Sequence, residues 1–299
     1  MLQKGIKKYF SWIIFIGLAI IWGSSFILIK KSMFASDGSQ LLSPVEVALL
    51  RLVLAMFTLL PLFVFYIHKI PKRLWKYLIV VGVFGNGLPA FLFTYGQMQV
   101  SSSLAGILNS IVPLFTLLIG VLFFNLKTKK HNRIGILIGF VGTTIIILGG
   151  RLDLQFESLL YPFLITLATL CYAISLNTIK HFLTEINALQ ITAAALTIVG
   201  IPALIYLLFS DIPSKIIAEP ALQQAFYYTT ILAVFGTAIA LVFFNWLVKL
   251  STALFASSVT YFIPIVAVLW GWIDNEAVSI LQIAGGGVIL YGVYLVYKK

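Results

Sequence analysis

Apolar runs of about 20 residues recur along the whole chain, separated by short clusters of Lys, Arg, Gly and Pro. A run of that length crosses the hydrocarbon core of a bilayer as an α-helix. Bounding each run at its charges, glycines and prolines predicts helices over 11–32, 44–67, 74–97, 101–124 and 132–150. Five more follow over 157–180, 187–209, 224–248, 252–272 and 279–297. The pattern predicts an all-α membrane protein of ten transmembrane helices. The second helix has the sharpest start, because Ser43 and Glu46 form an S-x-x-E capping box and Pro44 takes the first helical position. Lys4, Lys7 and Lys8 precede the first run as in a signal sequence. That run, 11–29, is long enough to span and lacks a small-residue cleavage site, so it reads as a retained helix.

The two halves of the chain, 1–150 and 151–299, resemble each other at a spacing of about 150 residues. Phe84-Gly85 matches Phe235-Gly236, Phe93 matches Phe244, Tyr95 matches Trp246, Ala105 matches Ala256, Pro113 matches Pro264 and Gly120 matches Gly271. With the spacing shortened by one, Trp22 meets Tyr172, Lys30 meets Lys180, Gly135 meets Gly285 and Gly142 meets Gly292. Five helices per half is an odd number, so the second copy enters the membrane from the opposite side. The expected architecture is a pair of five-helix inverted-topology repeats, which transporters use for alternating access around a site near the midplane.

Composition narrows the choice further. Hydrophobic residues make up 61% of the chain and charged residues only 10%, against roughly 25% charged in soluble domains, so no soluble domain is expected. The net charge of +11 would suggest nucleic acid in a soluble protein. Here the basic residues gather beside the spans, which argues against nucleic acid and orients the chain instead. Lys69, Lys72, Arg73, Lys76, Lys127, Lys129, Lys130, Arg133, Lys180, Lys249, Lys298 and Lys299 fall with the amino-terminal lysines on one side. Only Lys30, Lys31, Arg151 and Lys215 fall on the other, together with Asp37, Asp153, Glu157, Asp211, Glu219, Asp274 and Glu276. Both termini are therefore expected in the cytoplasm. Cys171, the single cysteine, lies in an apolar run, so the sequence offers neither a disulfide framework nor a Cys/His metal motif.

Inverted repeats point to their binding site through Gly and Pro interruptions at corresponding positions. Pro113 and Pro264 are such a pair, and each frees the carbonyl four residues earlier, at Asn109 and Thr260. Freed carbonyls and polar side chains in hydrocarbon need partners from protein, water or solute. The two interruptions read as lining a central cavity or as packing kinks satisfied by a neighbouring helix. Gly85, Asn86, Gly87 and Pro89 weaken the third helix, whose second-half equivalent keeps Gly236 and Thr237. That segment reads as a gate or as close small-residue packing, with the first half the weaker. Trp22, Ser25, Tyr172, Asn245 and Trp246 offer further solute contacts at helical spacing, although aromatics also serve as interfacial belts and amides as interhelical hydrogen-bonding groups.

Arg51 lies about two turns into the second helix among Ala48, Leu49, Leu50, Leu52 and Val53. A cation there binds an anionic solute group, bonds loop carbonyls or snorkels outward. Lys30 and Lys180 end their helices, where the macrodipole favours a cation. No carboxylate or histidine falls near the middle of a predicted span, and His68, His131 and His181 all sit at cytoplasmic ends, so no proton relay is visible.

With Trp22-Gly23-Ser24-Ser25-Phe26 followed by Lys30, Pro44 followed by Arg51, Ala105 with Pro113, and Gly135 with Gly142, plus their second-half echoes, the chain resembles the EamA family of the drug/metabolite transporter superfamily, as two tandem repeats covering nearly its whole length. It departs in having Thr192 where a second arginine would match Arg51, and Tyr172-Ala173 where Trp-Gly would match. The resemblance implies inner-membrane export of amino acids or other small metabolites through a cavity between helices three, four, eight and nine. Asn86, Asn109, Asn245, Trp246 and Thr260 are the expected solute contacts, with Trp22 and Tyr172 beside them. Multidrug or lipid-intermediate transport is the alternative within the class. An enzyme would need catalytic groups gathered in the bilayer, and the sequence has neither H-E-x-x-H nor paired membrane aspartates. A structural or sensory membrane protein without flux is the third class. The expected partners are a small organic solute and the lipid bilayer, with no cofactor, and nothing in the sequence asks for more than a monomer.

Overall fold

A computed structural model describes residues 2–126, 129–149, 156–250 and 256–297. Lys127, Arg151, Asp153, Lys298, Lys299, the boundary between the halves at 150–151 and the start of the helix expected from 252 lie outside the described residues, as do the side chains of Lys4, Lys7, Lys8 and Glu157. The described residues are helical apart from connections and one isolated antiparallel bridge between Phe34 and Gln40. In chain order the helices are α1 (Leu2–Met33), α2 (Pro44–Tyr66), α3 (Trp75–Gly82), α4 (Leu88–Gly96), α5 (Ser102–Asn109), α6 (Val112–Phe124) and α7 (Lys130–Gly149). They continue as α8 (Phe156–Phe182), α9 (Ala188–Leu208), α10 (Ile212–Ala218), α11 (Pro220–Ile231), α12 (Ala240–Leu250), α13 (Ile263–Ile273) and α14 (Ile280–Tyr297).

Seven stretches among the described residues are long and apolar enough to cross a membrane, from Trp12–Met33 to Pro220–Leu250, and two shorter apolar helices follow at Ser258–Ile273 and Ile280–Leu295. Large apolar side chains such as Phe123 and Ile280 stand exposed on the perimeter, as lipid rather than water requires. The protein is a multi-pass membrane protein.

Local chemistry explains the helix boundaries. At the start of α2 the Ser43 N–H donates to Glu46 at 2.7 Å while the Ser43 hydroxyl accepts from the Glu46 N–H at 3.3 Å, the capping box expected from sequence. A second box, not foreseen, opens α9: the Asn187 N–H donates to Gln190 Oε1 at 2.8 Å, and Asn187 Oδ1 accepts from the Gln190 N–H at 2.9 Å. The short α10 was also not foreseen, and an exposed Asp211–Lys215 pair at 2.8 Å spans its first turn.

Four of the expected continuous helices are interrupted, each for a stated reason. The run 101–124 breaks between α5 and α6, because Pro113 in the first turn of α6 has no N–H to give and its ring crowds the carbonyl of Asn109. Tight i→i+3 bonds from Ser110 to Ile107 and from Ile111 to Leu108 close off the break. Pro264 stands likewise in the first turn of α13, after a 3₁₀ turn over Ser258–Tyr261. In the third, α3 runs into α4 through a π-helical turn, Val83–Gly87. The fourth joins α11 to α12 through another, Leu232–Ile239. Both halves thus carry a π segment, and the second is longer. One side chain per half answers the widened turn. Asn86 donates to the Val81 carbonyl at 3.4 Å and Thr237 to the Leu232 carbonyl at 3.1 Å, each five residues back.

Glycine sets where helices approach most closely. A Cβ on Gly142 of α7 would stand 2.8 Å from the Gly285 carbonyl of α14, and one on Gly292 would stand 2.6 Å from the Gly135 carbonyl. Gly85 has room for no side chain beside Ser175 of α8, nor Gly236 beside Ser25 of α1. The π segment of each half therefore packs on a helix of the other half, and Gly87 packs against Val199 of α9.

Candidate functional site

The four helices just described meet around an internal cavity of about 100 Å³. Its wall is made of matching positions from the two halves: Trp22 and Tyr172, Ser25 and Ser175, Gly85 and Gly236, Asn86 and Thr237, Phe93 and Phe244, Asn109 and Thr260. Arg51 of α2 and Asn245 of α12 complete the polar part.

Most polar groups of the wall are held by hydrogen bonds. The Trp22 indole N–H donates to the Gly236 carbonyl at 3.0 Å, and its ring meets Phe244 edge-on with centroids 4.8 Å apart. Phe93 stacks on Tyr172 at 5.8 Å. The Arg51 Nε–H donates to the Thr237 hydroxyl at 2.8 Å, and Tyr172 lines the same wall. Asn245 donates to Thr192 Oγ1 at 2.9 Å. Thr260 turns its hydroxyl back to the Ser257 carbonyl at 2.8 Å, closing the break before α13. Asn109, the last residue of α5, is buried, and its Oδ1 has no hydrogen-bond partner.

Of the residues singled out from sequence, Trp22, Arg51, Gly85, Asn86, Asn109, Tyr172, Asn245 and Thr260 line this one cavity. Gly87, Pro89, Pro113 and Pro264 are not in its wall. They shape the turns that build it, with Pro89 in the first turn of α4. Trp246 lies outside this wall. It is 39% exposed and stacks on Phe243, at 6.4 Å, on the outer face of α12, because a step of one residue from Asn245 turns the side chain about 100° around the helix. Thr237, Phe93, Phe244 and Ser175 were not selected from sequence, although all but Ser175 were already visible in the match between the halves.

Beyond Ile29, the last residue of α1 in the cavity wall, an ionic cluster joins the halves. Lys30 Nζ contacts Asp274 at 2.6 Å and Glu276 at 3.0 Å, and Lys31 also pairs with Asp274. Glu276, 3% exposed, accepts at Oε1 from the N–H (3.0 Å) and hydroxyl (2.7 Å) of Ser102, and at Oε2 from those of Ser103 (2.9 and 2.7 Å). These serines form the first turn of α5, where a carboxylate also suits the helix dipole. Burial alone would raise the pKa of both carboxylates. The serine donors and Lys30 outweigh it at Glu276, and Lys30 and Lys31 at Asp274, so both titrate below the ordinary carboxylate range. Lys30 is thus held by specific carboxylates of the other half rather than by the macrodipole alone. Its counterpart Lys180 donates instead to the Val248 carbonyl at 3.0 Å. Arg73 and Glu185 pair on the opposite side of the molecule from the Lys30 cluster, linking the connection before α3 to that before α9.

A family model described as the EamA-like transporter family matches residues 10–148 and again 159–298. An "uncharacterized transporter" of Archaeoglobus fulgidus is 25% identical over 96% of this chain and 99% of its own length. The "uncharacterized inner membrane transporter YedA" of Escherichia coli K12 is 29% identical over 93% of this chain and 88% of its own. The "uncharacterized transporter YoaV" of Bacillus subtilis is 24% identical over 94% of each. A solved crystal structure superposes with a TM-score of 0.65 over 96% of both chains at 15% identity, a likeness of fold alone.

Proposed function

The chain belongs to the EamA-like transporter family, and we propose that it is a secondary-type carrier that binds a small solute in the central cavity and moves it by alternating access. In this reading ten spans form two five-helix repeats of opposite orientation, residues 1–150 and 151–299, with both termini in the cytoplasm. The direction is export from the cell across the inner membrane, and the solutes are amino acids or other small metabolites. The observation that carries it is the cavity wall, to which both halves contribute the same positions. A pseudo-symmetric wall supports a site that either half can close. The ionic cluster at Lys30 and Glu276 then lies at the outer end, and the Arg73–Glu185 pair at the cytoplasmic one. The first keeps the outer end shut, and the solute leaves once it opens.

Counterflow in proteoliposomes, with a panel of labelled amino acids and metabolites beside protein-free vesicles, tests the reading without knowledge of a driving ion. Saturable accumulation of a panel member is expected. Asn245→Ala, which removes a polar wall group and its bond to Thr192, is expected to lower the rate about tenfold. Trp246→Ala, one residue on but outside the wall, is expected to stay within about twofold of the parent. Equal loss in both variants would move the solute path away from this cavity, and no accumulation of any panel member would remove the carrier reading.

A further inference from the structure

Arg51 brings a cation into the cavity wall, and among the described residues no carboxylate lies within ion-pairing distance of it or lines the cavity. The other polar groups of the wall are neutral hydroxyls, amides and an indole. A guanidinium carries five N–H donors, and Nε–H is committed to Thr237. The Thr237 proton goes to the Leu232 carbonyl, so its oxygen is fixed as an acceptor and aims the guanidinium plane. A cation set in a low-dielectric wall without a counter-charge is costly, and ionisable side chains within spans face cavities or partners. The planar fork of Arg matches a carboxylate with two parallel hydrogen bonds. Asn109 in the same wall supplies an amide oxygen without a partner, whereas buried polar groups are ordinarily bonded. The empty wall is thus short of one anion and one hydrogen-bond donor.

We infer that Arg51 is the specificity-determining residue for a carboxylate: the solute is a small organic carboxylate whose anionic group sits on the Arg51 guanidinium beside Tyr172 and Thr237. This rests on the central cavity being the solute site, as proposed above. The carboxylate supplies the missing counter-charge. Phe93, Phe244 and Trp22 face the remainder of the solute.

The test pairs acids with neutral or cationic partners of the same skeleton. Thermal stabilisation of the purified protein in detergent is titrated with L-leucine, L-leucinamide and isopentylamine, and with L-threonine and L-threoninamide. Counterflow of the two labelled acids is then measured in liposomes. The parent is expected to bind an acid about 10- to 100-fold more tightly than its amide or amine. Arg51→Gln is expected to lose that preference, and Arg51→Lys to keep part of it. The ratio of acid to amide is the decisive readout, because damage to the fold lowers both affinities together. An amide or amine bound as tightly as its acid, a preference intact in Arg51→Gln, or no stabilisation by either acid would each overturn the assignment. Acids that bind with the expected preference but give no counterflow would overturn the carrier reading and leave the assignment standing. Counterflow without preference for the carboxylate would do the reverse.

Discussion

Glu276→Ala is expected to lower the stability of the purified protein by about 3–5 kcal/mol, the usual consequence of removing one member of a buried ion pair and stranding its partners. The carboxylate accepts four hydrogen bonds from Ser102 and Ser103 and pairs with Lys30. Alanine leaves two N–H groups at the start of α5 unpaired and removes the tie between the halves at that end. Thermal unfolding in detergent measures it, and a loss below about 1 kcal/mol would mean that the cluster behaves as an exposed surface pair. The pH dependence has a definite sign. Both Glu276 and Asp274 have folded-state pKa values below their unfolded ones, so their contribution is complete above the ordinary carboxylate range and is lost as pH falls through the lowered values. The parent should therefore show no change from this cluster between about pH 6 and 8, with destabilisation confined to pH values below about 4. That acid-side loss should be diminished in Glu276→Ala.

Gly292→Val is expected to cost about 3 kcal/mol or more, whereas Gly287→Ala on the same helix should stabilise by about 0.5–1 kcal/mol. A Cβ at 292 meets the Gly135 carbonyl at 2.6 Å and the Gly139 amide nitrogen at 2.6 Å, both backbone atoms that no rotamer change can move. At 287 nothing lies within 4 Å, so alanine only removes the entropic penalty of glycine within a helix. In lipid, helices associate through packing rather than water exclusion, and the α7–α14 pair depends on this contact. Gly142→Val, which meets the Gly285 carbonyl from the other side, should match Gly292→Val. Unfolding midpoints of the three variants decide the matter. Equal midpoints at 292 and 287 would separate the stability of the protein from this crossing.

Much of this architecture follows from period and punctuation. Runs of about 20 apolar residues located the helices, Ser43 and Glu46 fixed one start to the residue, and Pro113 and Pro264 marked both breaks. Matching the halves brought out most of the wall, because a residue needed on both sides of a pseudo-symmetric cavity leaves two traces in one chain. What stayed hidden depended on rotation or on distant partners. Trp246 aligned with Tyr95 between the halves, but the match says nothing of which side of α12 it takes, and both residues are in fact exposed. The π segments have no composition of their own and appear only in which carbonyl Asn86 and Thr237 can reach. Lys30 had its carboxylates 244 and 246 residues further along the chain, beyond any local pattern.

The π segments have one more implication. A π turn holds one residue more than an α-helical turn closes over, so each half keeps a length of slack in the middle of the helix that faces the cavity. Taking up that slack would turn everything beyond it by about 100° and lengthen the helix by about 1.5 Å. In the first half this would swing Phe93 away from the wall, and in the second half Phe244 and Asn245. Such a change of register alters which side chains face the cavity. The wall can then be re-lined from within, one half at a time, like a screw advanced by a single thread.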